Sequence, residues 1–213
     1  MDEQFWQDRW AEGRIGFHSE VPNPHLIAHF AALNLTSGSK VFVPLCGKTL
    51  DLDWLILQGM QVTGVEFNEA AARAVFARLN LTPVESRLKG LTCLTSPQMT
   101  LWVGDLFGLD AKDIDPIDAI YDRAALVALP DVTRQAYCRH LVKITESAPQ
   151  LLITYDYDQS HMDGPPFAVS EHMVRDHYKG AYKVKMLNDM PAKGPVATRT
   201  KGIEQIWHLS PHK

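Results

Sequence analysis

The feature that most constrains this chain is an alternation of short β-branched runs with amphipathic segments. VFVPL (41–45) precedes a segment, 48–59, that carries Leu50, Trp54 and Leu57 on one helical face and ends at Gly59. QVTGVEF (61–67) precedes Asn68, a residue suited to cap a helix, and then Ala72, Val75, Phe76 and Leu79 at i, i+3, i+4 and i+7. MTLWVGDLF (99–107), IDAIYD (117–122) and LLITYDYD (151–158) are further strand-like runs, with a helix expected over 132–146. A helix near 170–179 leads to two alternating strands, YKVKML (182–187) and GIEQIWHLS (202–210). Residues 188–201 between them read as irregular, and residues 81–98, with Pro, Ser and Thr and little periodicity, as loop. Strands alternating with helices predict an α/β fold: a doubly wound sheet whose last two strands form a hairpin at one edge. In such a sheet a ligand lies beyond the carboxyl ends of the strands, near the switch point. That directs attention to residues 44–49, 66–68, 104–107 and 121–124.

The totals narrow the partners. With 213 residues, 46% of them hydrophobic, the chain can bury one sizeable core, so a single domain is expected over 1–213. A net charge of -4 advertises no polyanion partner, so nucleic acid is disfavoured. The start MDEQFWQDRW has neither a basic nor an apolar leader region, and no apolar run has the length of a membrane span. Cys46, Cys93 and Cys138 are few and scattered, which fits a reducing cytoplasm and offers no disulfide or zinc pattern. His25 and His29 are spaced like metal ligands on a helix but lack a third partner, so no metal is expected. No heptad or exposed apolar stripe asks for a second copy, and a monomer is expected.

The turn KVFVPLCGKTLD (40–51) ends in GKT, like a phosphate loop. The full phosphate-loop pattern needs Gly five residues before Gly47, and Phe42 stands there. A reactive Cys46 would need a group that lowers its pKa, and no second Cys or His base is near in sequence. The next strand offers more. Glu66 ends it, and a carboxylate at the tip of a second strand accepts hydrogen bonds from both hydroxyls of a ribose. Capping the helix that starts at Asn68 is its structural alternative. The glycine fingerprint of dinucleotide folds is missing, which leaves room for a nucleoside without phosphate. S-adenosylmethionine is such a ligand, and its small carboxylate suits a short turn backed by a helix. Trp6 and Trp10, four apart on an N-terminal helix over 2–12, either pack on the sheet or form a lid whose indole meets a sulfonium or an adenine. Arg123 follows the fourth strand at the mouth of the cleft. There it either pairs with Asp122 or another carboxylate, or stands as a fixed cation beside the transferring sulfur or the cofactor.

These residues also carry a family likeness. W-Q-D-R-W and G-F-H, then V-P-L-C-G-K, G-V-E, D-R-A-A-L-V-A-L, T-Y-D-Y-D and G-P-P-F occur in this order from about residue 5 to the last strand. The chain resembles the thiopurine S-methyltransferases of the short bacterial kind. The resemblance implies a Rossmann-like class I methyltransferase with a mostly parallel seven-stranded sheet, helices on both faces, and an N-terminal helical lid over about 1–35. It implies that Trp10, Leu45, Glu66 and Arg123 contact S-adenosylmethionine, with Asp105 and Leu106 beside the adenine. It implies that Phe17 lines the acceptor pocket and that Arg199 flanks the acceptor. The implied reaction is in-line methyl transfer to an aromatic or heterocyclic thiolate, with Arg123 favouring the anion and no dedicated base. Selenium and tellurium compounds are associated with bacterial relatives. A non-catalytic nucleoside-binding module using the same crevice is the competing reading. An oxidoreductase is disfavoured by the missing G-x-G-x-x-G.

Overall fold

Lys40–Val43 (β1) shows why a layered sheet forms. Phe42 turns to one hydrophobic cluster and Val41 and Val43 to the other, so both faces of the strand must be covered. The computed structural model describes residues 3–114 and 116–212. Ahead of β1 lie the helices Glu3–Ala11 (α1) and Pro24–His29 (α2). After it come Asp51–Leu57 (α3), Gln61–Glu66 (β2), Glu69–Arg78 (α4), Val84–Leu88 (β3), Leu91–Ser96 (β4) and Met99–Val103 (β5). Ala119–Arg123 (β6), Asp131–Ile144 (α5), Gln150–Asp156 (β7) and Glu171–Tyr178 (α6) follow. Tyr182–Pro191 (β8), Gly194–Thr200 (α7) and Ile203–Pro211 (β9) close the chain.

The sheet order is β3-β4-β5-β2-β1-β6-β7-β9-β8. The central run from β5 to β7 is parallel, and antiparallel strands flank it on both sides. The order reverses between β1 and β6, which is where the cleft opens. Leu26 of α2, Leu52 and Leu55 of α3 and Val75 and Phe76 of α4 cover one face. Tyr137 and Leu141 of α5 and Val174 and Tyr178 of α6 cover the other. The turn into α4 is capped as its sequence requires: Asn68 Oδ1 accepts the Ala71 N–H at 2.8 Å.

All seven strands expected from the sequence are present, and the segment read as loop adds two more. Residues 84–96 form a hairpin, β3 and β4, around a two-residue Lys89-Gly90 turn, which makes the sheet nine-stranded among the described residues. Every residue of β3 is exposed, so no buried face marked it as a strand. It is held by its backbone ladder to β4, and Arg73 of α4 adds ion pairs to Glu85 at 2.7 Å and Glu69 at 2.6 Å. The stretch read as irregular is also ordered. β8 continues to Pro191 across a bulge at Met186/Asn188, and α7 follows with a proline in its first turn.

Candidate active site

The turn after β1 is shaped by its backbone. Leu45 takes a left-handed φ of 46°, rare for a side chain of that size, and the Cys46 N–H bonds the Val65 carbonyl at 3.0 Å. This turn is therefore pinned to β2 before any ligand arrives. Gly47 is also left-handed, at 55°, and a Cβ there would meet the Trp10 indole at 3.4 Å. The indole of α1 lies directly over this turn, with the Lys48 ammonium 5.8 Å from its ring centre.

Glu66 joins the same unit. Its carboxylate is buried; one oxygen accepts the Gly47 N–H at 2.8 Å and the other the Asn68 N–H at 2.9 Å. Burial pushes its pKa upward, and the Asn68 and Gly47 N–H groups hold it back. Glu66 thus ties the turn after β1 to Asn68, the residue that itself caps α4. Cys46 is not a nucleophile of the site. Its thiol is buried against Gly64, and desolvation, then the Glu66 charge, pushes its pKa well above the ordinary thiol value.

These groups open onto a cavity of about 980 Å³ at the carboxyl ends of the strands. Trp10, Phe17, Leu45, Glu66, Arg123 and Arg199 all line it. Trp6 and Trp10 meet the Phe17 ring edge-on, with centroids 5.9 and 5.5 Å apart. Arg123 Nη1 donates to the Phe17 carbonyl at 2.7 Å, which links the end of β6 to the N-terminal segment. The adjoining carboxylate, Asp122, is not its partner there. Asp122 faces away, buried, and accepts from the Tyr137 hydroxyl at 2.6 Å and the Leu126 N–H at 3.1 Å. Desolvation raises its pKa to about 6 against those donors.

Two expected residues are not in the cavity. Asp105 caps the short 3-10 turn after β5 by accepting the Phe107 N–H at 3.0 Å, and Leu106 is buried in the core. They remain near the tip of β2, since the adjoining Gly104 N–H bonds the Glu66 carbonyl at 2.9 Å.

Other lining groups were not assigned to the site from the sequence. Asp51, at the start of α3, accepts from the Asn23 N–H at 2.6 Å and the Tyr121 hydroxyl at 3.0 Å. His25 and Glu204 meet at 3.2 Å, and Tyr155 stands beside them. Pro165 and Pro166, preceded by two consecutive cis peptide bonds, form an apolar wall. Among the described residues no group of three potential metal ligands occurs, and no helix is long and apolar enough to cross a membrane.

The family model for thiopurine S-methyltransferase matches residues 1–209. A thiopurine S-methyltransferase of Gluconobacter oxydans is 42% identical over 207 residues, covering 97% of this chain and 94% of the relative. One of Teredinibacter turnerae is 42% identical over 210 residues, covering 99% and 98%. Among solved structures, a Burkholderia thailandensis 1,6-didemethyltoxoflavin-N1-methyltransferase with bound S-adenosylhomocysteine aligns with a TM-score of 0.61 at 12% identity, covering 98% of this chain and 87% of that one. The parallel sheet with its cleft at the switch point is that of a class I S-adenosylmethionine-dependent methyltransferase. Within that class, the chain belongs to the thiopurine S-methyltransferase family.

Proposed function

We propose that this enzyme uses S-adenosylmethionine to methylate the sulfur of thiopurines and other aromatic or heterocyclic thiols. The observation that carries the reading is the cavity itself. A buried carboxylate, a turn with inward backbone and a fixed guanidinium share it with Trp10, Phe17 and the Pro165-Pro166 wall. The residues fit the methyl donor. A carboxylate offers about four acceptor positions. Glu66 spends one on each oxygen, at Gly47 and Asn68, and keeps the rest for a ribose diol. Leu45 and Gly47 frame the methionine portion, and the Trp10 face suits a sulfonium, a contact that contributes roughly 0.5–2 kcal/mol. Asp105 and Leu106, beside β2, are assigned to the adenine edge.

S-Adenosylmethionine supplies a methyl group already activated by its sulfonium charge. The protein's work is therefore alignment, exclusion of water and stabilisation of the attacking anion. Arg123, fixed by Phe17, provides the positive charge for a thiolate, and Arg199 approaches from α7. Phe17 and the two prolines supply a flat apolar slot for an aromatic ring. The N-terminal segment to about residue 35, with Trp6 and Trp10, acts as the lid of a single domain. Selenium and tellurium nucleophiles are larger and softer than sulfur and suit the same slot, so their detoxification belongs to this reading. The enzyme is assigned to the cytoplasm as a monomer.

The test is calorimetry with S-adenosylhomocysteine, followed by transfer of labelled methyl to mercaptopurine and thiophenol. Binding with turnover of both supports the reading. Binding without turnover would leave a nucleoside-binding module instead.

A further inference from the structure

The cavity extends well past the groups assigned to the methyl donor, and its far end carries a carboxylate without a role. Glu66 lies on β2 and Glu204 on β9, four strands along the sheet order β2-β1-β6-β7-β9. At about 4.8 Å per strand this separates them by roughly 19 Å. Arg123, at the end of β6, stands between. Glu204 is buried at the start of β9, directly across from Tyr155 in the β7–β9 register, and both line the cavity. His25 Nε2 is 3.2 Å from Glu204 Oε2, and an ionised carboxylate only accepts, so the imidazole is the donor. Tyr155 stands opposite the same carboxylate on the neighbouring strand. His25, from a different element, thus holds Glu204, with acceptor positions left over at the cavity wall. Arg123 is the cation between this carboxylate and the donor end, and Arg199 lines the same cavity from α7.

Resting on the proposed function, we propose that Glu204 selects acceptors that carry a ring N–H beside the chalcogen and takes up that proton. Heterocyclic thiols exist largely as thiones, with the proton on nitrogen. Such a sulfur is a poor nucleophile until the N–H is shared with a base. A fixed carboxylate is suited to this, since a neutral N–H bonds a charged acceptor about twice as strongly as a neutral one. In the step, a sulfur electron pair forms the new bond to the methyl carbon. The pair of the broken carbon–sulfonium bond stays on the donor's sulfur. The N–H pair remains in the ring as the aromatic nitrogen's, and the proton passes to Glu204 and from there to solvent. His25 is a positioning residue: it fixes the carboxylate and touches no reacting atom.

The experiment compares two acceptors, 2-thiopyridone, which has the N–H, and thiophenol, which has no ring nitrogen. Glu204→Gln is expected to lower kcat/KM at least tenfold for 2-thiopyridone and less than twofold for thiophenol. Calorimetric affinity for 2-thiopyridone without donor should fall as well, while S-adenosylhomocysteine affinity stays unchanged. His25→Leu should reproduce part of the selective loss and His25→Gln, which keeps a donor, should recover most of it. Equal losses for both acceptors, or no loss for either, would overturn the assignment of Glu204 while leaving methyl transfer standing. Wild-type protein that binds no S-adenosylhomocysteine and turns over neither thiol would overturn the function on which it rests.

Discussion

The Glu66 carboxylate accepts the Gly47 N–H at 2.8 Å, so the tip of β2 and the turn after β1 form one rigid element. Both halves of the proposed donor cradle are therefore joined by this side chain as well as by the Cys46 N–H to the Val65 carbonyl. Glu66→Ala removes the proposed ribose acceptor and leaves the Gly47 and Asn68 N–H groups to water. S-adenosylhomocysteine affinity is expected to fall at least tenfold, about 1.4 kcal/mol, with a modest drop in melting temperature. Isothermal titration of the two proteins checks it, and unchanged affinity would contradict the assignment.

Arg123 is expected to act on turnover more than on donor binding. Replacing it with Met removes the fixed positive charge and the link to Phe17. By analogy with the loss of a preorganised donor, kcat for thiophenol should drop on the order of 10²-fold. Donor affinity should change far less, which steady-state kinetics and calorimetry on the same preparation resolve.

Gly64 packs beneath the turn. A Cβ there would meet Leu101 Cδ2 at 2.7 Å and the Cys46 sulfur at 2.9 Å. Gly64→Ala should cost about 1–3 kcal/mol by overpacking. The double variant with Cys46→Ala, which removes one of the two clashes, should recover part of that loss in urea denaturation.

Asp122 makes stability depend on pH. Its pKa is about 6 when folded against an ordinary 3.8, so between these values the folded state holds a proton that the unfolded state has lost. Stability from this group is thus full below pH 4 and falls as pH rises through 6. A two-unit shift corresponds to about 3 kcal/mol. The stability advantage of wild type over Asp122→Asn should therefore be larger at pH 4.5 than at pH 7.5. Urea melts at both values test the direction, and a difference that grows with pH would refute it.

The central parallel strands were legible because burial on both faces leaves nearly continuous apolar runs, as at Val41 to Val43. The positions of Glu66 and Arg123 followed from the rule that clefts open at the carboxyl ends of such strands. β3 escaped notice for the opposite reason: a strand exposed along its whole length has no pattern, and Pro83 argued for loop. α7 was hidden by Gly194 and Pro195, which read as breakers although proline begins helices as readily as it ends them. The His25–Glu204 pair was out of reach for a simpler reason, since the two residues are 179 positions apart and meet only through the sheet.

The outermost strands have a consequence for how these molecules meet one another. On one border, Glu85, Ser86 and Arg87 all point charge or polarity into water; on the other, Lys183, Lys185 and Asp189 do the same before Pro191 removes a donor. A free strand edge invites a neighbour's backbone, and charges and proline placed along it discourage that approach. Among the described residues the sheet ends at β3 and β8, and at both borders these side chains work against its extension by a neighbour's strand.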